Sequence, residues 1–342
     1  MLGDDALRAA LRTVLLSTVT TLLVLIGAFV VSSAATGKSI PEITYSFTFA
    51  TIGSSQGILQ VLTKTTPLLI STIGLIVAFR SGFWNIGGEG QIIIGILTTT
   101  GTCLFFNLPP FPAIILSFAG SFLVAGAYAA LAGFLKAKWG VNEVVITMMQ
   151  TSVAVAAMQF LVNGPWNWGG GLYPRTEMIP TSMRLPFIAD PLNAMLIVAA
   201  LFTGLAYFFI NRTVVGYEMK AMGENTLAAL CQGINTSKLA VLTMMISGGL
   251  CGLAGTGLVL GEFFRAQEGM SGNYGFYAIA AALMADNQIV LAPFSALLIA
   301  VLYEGVLGLA ALGIPHRLGE AIVGIVFILA FMPKALNWLG KR

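Results

Sequence analysis

The sequence predicts an all-α integral membrane protein with about ten transmembrane helices. Hydrophobic residues make up 57% of the 342 residues and charged residues only 9%, and the mean hydropathy is +0.89. A soluble domain carries about 25% charged residues. Apolar stretches of about 20 residues, the length that a helix needs to cross a bilayer, recur along the chain. The chain is therefore predicted to lie mostly in lipid.

We predict ten spans within a single transmembrane domain, 1–342. They are 13–33, 59–80, 91–107, 111–135, 142–163, 191–210, 238–261, 273–286, 290–312 and 317–333. The first span follows two arginines and could be mistaken for a secretory signal. Its apolar core is longer than that of a typical signal, so we predict a retained helix.

The distribution of lysine and arginine supports this count. With a cytoplasmic N-terminus, eleven basic residues fall on the inner side and five on the outer side, as the positive-inside rule requires. The inner ones are Arg8, Arg12, Arg80, Lys136, Lys138, Arg212, Lys220, Lys238, Lys334, Lys341 and Arg342, and the outer ones are Lys38, Arg175, Arg184, Arg265 and Arg317. Both termini are predicted to be cytoplasmic. Five spans in each half, roughly 1–163 and 164–342, would give the halves opposite orientations, as in inverted-repeat transporters.

The segment 82–91 breaks the pattern of the apolar runs on either side of it. It contains four glycines, and each glycine costs a helix roughly 1 kcal/mol relative to alanine. Non-helical backbone at membrane depth is tolerated only where it is buried in protein or lines a wet cavity. Broken helices also form the substrate sites of transporters. We therefore predict that this segment lines a transport pathway.

Side chains in and near the break suit an uncharged polar solute. Phe83 and Trp84 offer flat apolar faces, and the amides of Asn85 and Gln91 donate and accept hydrogen bonds without charge. A weaker echo of the break, Gly272-Asn273-Tyr274-Gly275-Phe276, follows the seventh predicted span. The candidate pathway residues are Phe83, Trp84, Asn85, Glu89, Gln91, Asn142, Glu143 and Gln150.

Several of these candidates also have purely structural interpretations. Glu89 and Glu143 each precede an apolar run, where a carboxylate complements the positive end of a helix. Asn142 is a good N-cap, and we favour the structural interpretation for Glu143. Gln150 and Gln159 each suit either a hydrogen bond between helices or the pathway. Glu304 lies within an apolar span and is a functional candidate, although small residues beside it also indicate tight packing.

Other motifs exclude alternative functions. The glycine-rich run 248–257 lies inside an apolar span without a preceding strand, so it indicates close helix packing rather than a dinucleotide loop. Gly37-Lys38-Ser39 resembles the end of a phosphate loop, but Ser32 stands where that motif begins with glycine. His316 has no partner motif for zinc binding or catalysis. The net charge of +3 is too small for a nucleic-acid-binding surface. We therefore expect no enzyme activity, no metal and no nucleic-acid partner.

Two polar loops are candidate contact regions. The outer loop, 164–190, contains Trp166, Trp168 and Tyr173, which suit either an interfacial aromatic belt or a docking surface. The inner loop, 211–237, contains a predicted short helix, 225–231, followed by Gly233. A short helix alone is unstable in water, so we expect it to rest on a partner.

The segment Arg80–Gln91 resembles the Arg-x-Gly-x-x-Asn-Ile-Gly-x-Glu-Gly-Gln signature of bacterial ATP-binding-cassette importer permeases for nucleosides and related solutes. These permeases belong to the branched-chain amino acid and monosaccharide permease superfamily. Segments 140–144, 222–234 and 274–280 also match this family. The resemblance covers most of the chain.

This resemblance implies a set of partners and a location. The chain would pair with a second, related permease or with itself, and would bind two cytoplasmic ATPase subunits and an extracytoplasmic solute-binding protein. ATP and Mg²⁺ would be held by the ATPases, so this chain would bind no cofactor. The location would be the bacterial cytoplasmic (inner) membrane. The implied ATPase-coupling residues are Lys220, Gly223, Glu224, Asn225, Ala228, Ala229 and Gly233.

The sequence thus supports two functional hypotheses. The first is a permease subunit of an ATP-driven importer that carries a nucleoside, or alternatively a simple sugar. The second is a secondary transporter driven by an ion gradient, with Glu89, Glu143 or Glu304 as a proton site.

Overall fold

The computed structural model describes residues 37–169 and 174–314, together with the isolated residues 26, 27, 29, 30, 33 and 324. The first and tenth predicted spans, 13–33 and 317–333, fall almost wholly outside the described residues. Tyr173 and His316 also lie outside them.

The described chain is mostly helical. The helices are α1 (Ile40–Thr51), α2 (Ser55–Arg80), α3 (Gly88–Phe105), α4 (Pro110–Trp139), α5 (Glu143–Asn163), α6 (Met195–Arg212), α7 (Val214–Glu224), α8 (Thr226–Cys231), α9 (Thr236–Leu258), α10 (Tyr274–Met284) and α11 (Ala292–Leu309). A short antiparallel hairpin of β1 (Phe187–Ala189) and β2 (Leu192–Asn193) precedes α6. Single turns of 3₁₀ helix occur at Thr181–Met183, Ile289–Leu291 and Ala310–Leu312, and a π-helical turn, Val259–Phe263, extends α9.

Six described helical stretches are long and apolar enough to cross a bilayer, so the chain is a multi-pass helical membrane protein. They are Ser55–Arg80, Pro110–Trp139, Glu143–Asn163, Met195–Arg212, Thr236–Phe263 and Ile289–Leu309. At two further predicted spans, α3 begins with the polar residues Glu89 and Gln91, and α10 has only 11 residues. A helix is therefore found at each of the eight predicted spans within the described residues. The total of ten stays a prediction.

Helix α1 and the β1–β2 hairpin were not predicted. Helix α1 begins with a capping box, in which the Ser39 hydroxyl accepts a hydrogen bond from the Glu42 N–H and the Glu42 carboxylate accepts one from the Ser39 N–H. The local signal was Ser-x-x-Glu, which is typical of a helix start. A search for 20-residue spans misses it because the helix has only 12 residues.

The described chain contains two compact units. The first comprises the described residues up to 65 and from 280 onward, and it includes α1 and α11. Its apolar cluster contains Ile43, Phe47, Leu302, Leu309 and Ile314. The glycines beside Glu304 pack directly against α1, one beneath the Phe47 ring and one against Ala50. The tight packing predicted there is confirmed.

The second unit, 66–279, contains the close pair α4 and α9. A Cβ atom added at Gly126 would lie 2.7 Å from the Met245 carbonyl oxygen, and one at Gly252 would lie 2.6 Å from that of Ser121. Only glycine permits this approach of the two backbones, which confirms that the run 248–257 is a small-residue packing surface.

Candidate functional site

The predicted interruption between the second and third spans is confirmed, but it is shorter than expected. Helix α2 ends at Arg80 and α3 begins at Gly88, so residues 81–87, the first break, form a turn and an irregular segment. Gly82 has a φ of +79°, a left-handed conformation that favours glycine. Residues 88–91 form the first turn of α3 instead of belonging to the break.

A buried amide pair shapes the first break. The Asn85 Nδ2 donates to the Gln91 Oε1 and to the Ser247 Oγ, each at 2.9 Å, and the Gln91 Nε2 donates back to the Asn85 Oδ1 at 2.9 Å. The Gly87 N–H also donates to the Asn85 Oδ1. Both amide side chains are fully buried. In this conformation they satisfy each other and fasten the break to α9, so solute contact by Asn85 and Gln91 stays a prediction.

Glu89 joins the first break to a second interruption. The Gly275 N–H donates to the Glu89 Oε2 at 2.8 Å, and the Ser271 hydroxyl and the Asn273 N–H also hydrogen-bond to this carboxylate. Gly275 lies so close to the Glu89 backbone that a Cβ atom would overlap it.

The second break is the segment 264–273 between α9 with its π turn and α10. Phe264 and Asn273 in it both have positive φ. It includes the start of the glycine-rich sequence that resembles the first break. The sequence indicated two similar interruptions. The structure shows that they meet through Glu89, two residues beyond the first break, and residues 271–275 at the end of the second.

A cavity of about 310 Å³ opens beside this junction. Its polar lining residues are Glu89, Thr151, Gln159, Glu268, Ser271 and Asn273, and its apolar ones include Ile93, Val155, Met158 and Phe276. None of the described residues that line it is basic. Of the candidate pathway residues, only Glu89 lines this cavity, together with Gln159, for which the pathway was one of two alternatives.

An ion pair between α4 and α5 also contacts the first break. The Lys136 ammonium pairs with the Glu143 carboxylate and lies 4.5 Å from the centre of the Phe83 ring. The Trp84 N–H donates to the same carboxylate at 3.3 Å. Trp84 is about half exposed and its ring packs on Phe79. Phe83 is buried.

The start of α5 agrees with the structural interpretation of its first residues. The Asn142 side chain accepts a hydrogen bond from the Val144 N–H at 2.9 Å, so it caps α5, and Glu143 lies in the first turn. Farther along this helix, the Gln150 Nε2 donates to the Tyr128 carbonyl, and the Tyr128 hydroxyl donates to the Gln150 carbonyl at 2.6 Å. Gln150 therefore links α4 to α5, the first of its two predicted alternatives.

The segment 217–233, to which the family resemblance assigns ATPase coupling and which we call the coupling segment, contacts the first break directly. Gly223 lies against the Arg80 carbonyl without room for a Cβ atom, and a Cβ atom at Gly82 would lie 3.1 Å from the Gly223 Cα. Buried Met219 and Met222 anchor α7. A movement of the coupling segment would therefore be transmitted to the first break by direct contact.

The end of the coupling segment has the predicted form. Asn225 caps α8 by accepting hydrogen bonds from the N–H groups of Leu227 and Ala228, each at 3.0 Å. Gly233 has a φ of +81° after the helix end. Ala229 is buried, whereas Leu227 is 75% exposed and Leu230 is also exposed. Exposed apolar side chains on a short helix are typical of a surface that packs on a partner.

Lys220 and Glu224 lie on α7 within the coupling segment. The Lys220 Nζ donates to the Asn211 Oδ1 at 2.7 Å, and burial, together with the positive charge of Arg80, lowers the pKa of Lys220. Glu224 is exposed at the end of α7.

Four residues of the site were missed: Thr151, Ser247, Glu268 and Ser271. Ser247 and Thr151 are polar residues inside apolar spans, which is a usable signal. Glu268 and Ser271 lie in a connection whose path the local sequence does not define. Glu268 and Ser271 line the cavity only because the two breaks lie next to each other in the folded chain.

The loop 164–190 is hydrogen-bonded to the second break and to the π turn that precedes it. The Thr176 N–H donates to the Ala266 carbonyl, the Ile179 N–H to that of Phe264 and the Leu185 N–H to that of Leu260. The Trp166 ring packs on Phe105, and Trp168 is 61% exposed. A partner bound to this loop would therefore contact a segment continuous with the cavity.

A helical membrane protein in which two broken segments meet beside a polar cavity has the architecture of a transporter. The chain belongs to the family described as branched-chain amino acid transport system / permease component, which matches residues 57–331. It is therefore a permease component of an ATP-binding-cassette transporter, and ATP hydrolysis belongs to partner subunits.

Similar proteins are permeases of the same transporter class. The chain is 28% identical to a glucose permease of Haloferax volcanii over 292 residues, with 81% of this chain and 77% of that protein covered. It is 28% identical to a guanosine permease of Bacillus subtilis, with 82% and 83% covered. It is 27% identical to a nucleoside permease of Lactococcus lactis, with 82% and 80% covered. No solved structure matches the chain significantly.

Proposed function

We propose that this chain is the permease subunit of an ATP-driven importer and carries a nucleoside or a similar neutral polar solute inward. One observation supports the pathway most directly. The two breaks meet at Glu89 and Gly275 beside a polar cavity, and the coupling segment contacts the first break through Gly223. Motion of the coupling segment would thereby change the junction that borders the cavity.

The chemistry of the cavity supports a neutral or weakly basic polar solute. The carboxyl groups of Glu89 and Glu268 line it, and the described lining contains no basic residue, so nothing in that lining would neutralise the charge of an anion. Gln159 and Asn273 supply amides, and Phe276 supplies an aromatic face. A nucleobase could stack on that ring while ribose hydroxyls bond to the amides and carboxylates.

We further propose the complete assembly that the resemblance implies. Two permeases would form the core, with cytoplasmic ATPases receiving Lys220, Gly223, Glu224, Asn225, Ala228, Ala229 and Gly233 in a groove. The ATPases would hold ATP and Mg²⁺, and the solute-binding protein would dock on the loop 164–190. Ten spans, two inverted halves and cytoplasmic termini in the bacterial inner membrane complete this proposal.

Reconstitution tests this function. Proteoliposomes containing the permease, its ATPase and its binding protein should accumulate radiolabelled nucleoside only when ATP is present on the ATPase side, and a protonophore should not abolish uptake. Permease alone should neither hydrolyse ATP nor accumulate solute. Protonophore-sensitive accumulation by permease alone would instead establish the secondary-transporter alternative.

The variant Glu224→Lys tests the coupling assignment. Because Glu224 is exposed, reversing its charge should leave thermal unfolding unchanged while it uncouples ATP hydrolysis from uptake. Normal uptake by this variant would count against the assignment.

A simple sugar is the second candidate solute, because one relative is named as a glucose permease. Thermal-shift measurements on the partner binding protein with nucleosides and monosaccharides distinguish the two. A shift with sugars and none with nucleosides would select the sugar.

A further inference from the structure

An apolar groove lies on the second unit and shares no lining residue with the cavity at the two breaks. It runs between the end of α4 and the beginning of α9, both long enough to cross a bilayer, and has a volume of about 540 Å³. Phe134, Val241, Leu242 and Met245 form its apolar walls. Its other lining residues are Ala137, Lys138, Ser237 and Lys238.

The polar residues are concentrated at one end of the groove. Lys138 lies one residue before the end of α4, and Ser237 and Lys238 lie in the first turn of α9. All three are exposed. Among the described residues, no carboxylate lies within salt-bridge distance of either ammonium group. Two lysine ammonium groups and a serine hydroxyl therefore line the same end of the groove. The positive N-terminal end of the α9 dipole adds to the positive electrostatic potential there.

Aromatic side chains mark this end as a membrane interface. The Lys138 ammonium lies 4.8 Å from the centre of the Trp139 ring and 5.5 Å from that of Phe134. Trp139 is 60% exposed. Exposed tryptophan beside lysine at the end of a spanning helix is typical of the boundary between hydrocarbon and headgroups. The groove thus has an apolar part at acyl-chain depth and a cationic part at headgroup depth.

We propose that this groove binds one anionic phospholipid. Its phosphate lies between Lys138 and Lys238 and accepts a hydrogen bond from Ser237, while one acyl chain lies against Val241, Leu242 and Met245. Basic pockets between spanning helices are suited to acidic headgroups. The lipid bridges α4 and α9, the two helices whose backbones approach at Gly126 and Gly252.

Charge favours this occupant over the two obvious alternatives. A second copy of the chain would have to bring a carboxylate to meet the two lysines inside an apolar groove. If a soluble subunit bound here instead, the apolar side chains of Val241, Leu242 and Met245 would contact water or protein at the depth of the lipid hydrocarbon. An anionic lipid satisfies both parts of the groove with one molecule.

The test uses the full chain in a mild neutral detergent, with phosphatidylglycerol and phosphatidylcholine of identical acyl chains. Native mass spectrometry should show one phosphatidylglycerol retained, with an apparent affinity roughly tenfold or more above that for phosphatidylcholine, since each lysine near a phosphate contributes to binding. The double variant Lys138→Gln/Lys238→Gln should bind both lipids equally. Lys138→Arg/Lys238→Arg should keep the preference.

Two controls make the result decisive. Lys38→Gln removes an exposed lysine outside the groove and should keep the preference of the parent. Glycerol 3-phosphate, which carries the phosphate without acyl chains, should not compete. If glycerol 3-phosphate competed with the lipid at equal concentration, the groove would be a site for free phosphate and not for a lipid.

Three further outcomes would overturn the proposal. They are equal retention of the two lipids by the parent, an unchanged preference in the glutamine double variant, and loss of the lipid when the complete transporter is assembled. The last outcome would assign the groove to a protein contact. If the double variant unfolds, Leu242→Ser tests the acyl-chain contact separately and should weaken retention of both lipids while leaving their order unchanged.

Discussion

Glu89 and Glu143 are alike in sequence and different in structure. Each lies in the first turn of a helix, α3 or α5, and each is buried, with 4% and 6% exposure. Glu143 pairs with Lys136 on the neighbouring helix. Among the described residues, Glu89 has no basic partner within salt-bridge distance and is held by hydrogen-bond donors of the second break.

This difference shows that a position at a helix start can identify a buried carboxylate but does not reveal the function of that carboxylate. The charge of Glu143 is neutralised locally, as expected for a group that holds the first break in place. The carboxylate of Glu89 is supported by N–H and O–H groups from residues 271–275 and lines a cavity. It therefore connects two distant parts of the chain and borders the cavity in which we propose that the solute binds.

The largest effect is expected from Gly275→Ala. The added methyl group would overlap the Glu89 backbone, and overpacking of this kind costs typically about 1–3 kcal/mol. The two breaks would separate, so we expect uptake to fall at least tenfold and the melting temperature to drop. Gly204→Ala is the matched control, because no atom lies within 4 Å of its added Cβ atom. Wild-type uptake by Gly275→Ala would show that the contact between the breaks is dispensable.

A smaller effect is expected from Glu89→Gln. The amide offers one acceptor oxygen instead of two, and its NH₂ group cannot accept a hydrogen bond from the N–H of Gly275 or Asn273. Leaving buried donors unpaired costs about 1–3 kcal/mol. Solute-stimulated uptake should fall several-fold, and Glu89→Asp should recover part of it. A Gln variant that transports normally would remove Glu89 from the pathway.

The smallest effect is expected at the Lys136–Glu143 pair. Because a third of the Lys136 side chain is exposed, the pair should contribute at most about 1 kcal/mol. A double-mutant cycle with Lys136→Met and Glu143→Gln, followed by thermal unfolding, measures this coupling energy. The exchange Lys136→Glu/Glu143→Lys should restore only part of it, since lysine is unfavourable at a helix start. Additive single effects would mean that the two side chains do not interact.

Helix positions were predictable because apolar runs of spanning length are a property of the local sequence. The break near residue 82, the Asn142 cap, the short helix before Gly233 and the packing surface at 248–257 were predictable for the same reason. Helix α1 was missed because it is too short to be a span. The cavity was largely missed because Thr151 and Glu268 come from separate helices and connections.

The sequence by itself determined a helical membrane protein, the break after residue 80 and the family, because hydropathy, glycine content and motif spacing are properties of the local sequence. Only the tertiary structure decided that Asn85 and Gln91 bond to each other, that Glu89 bonds to Gly275 and that Gly223 contacts the first break. Those partners are up to 186 residues apart in sequence. Which polar groups satisfy one another depends on how the helices pack, and helix packing is a property of the folded chain alone.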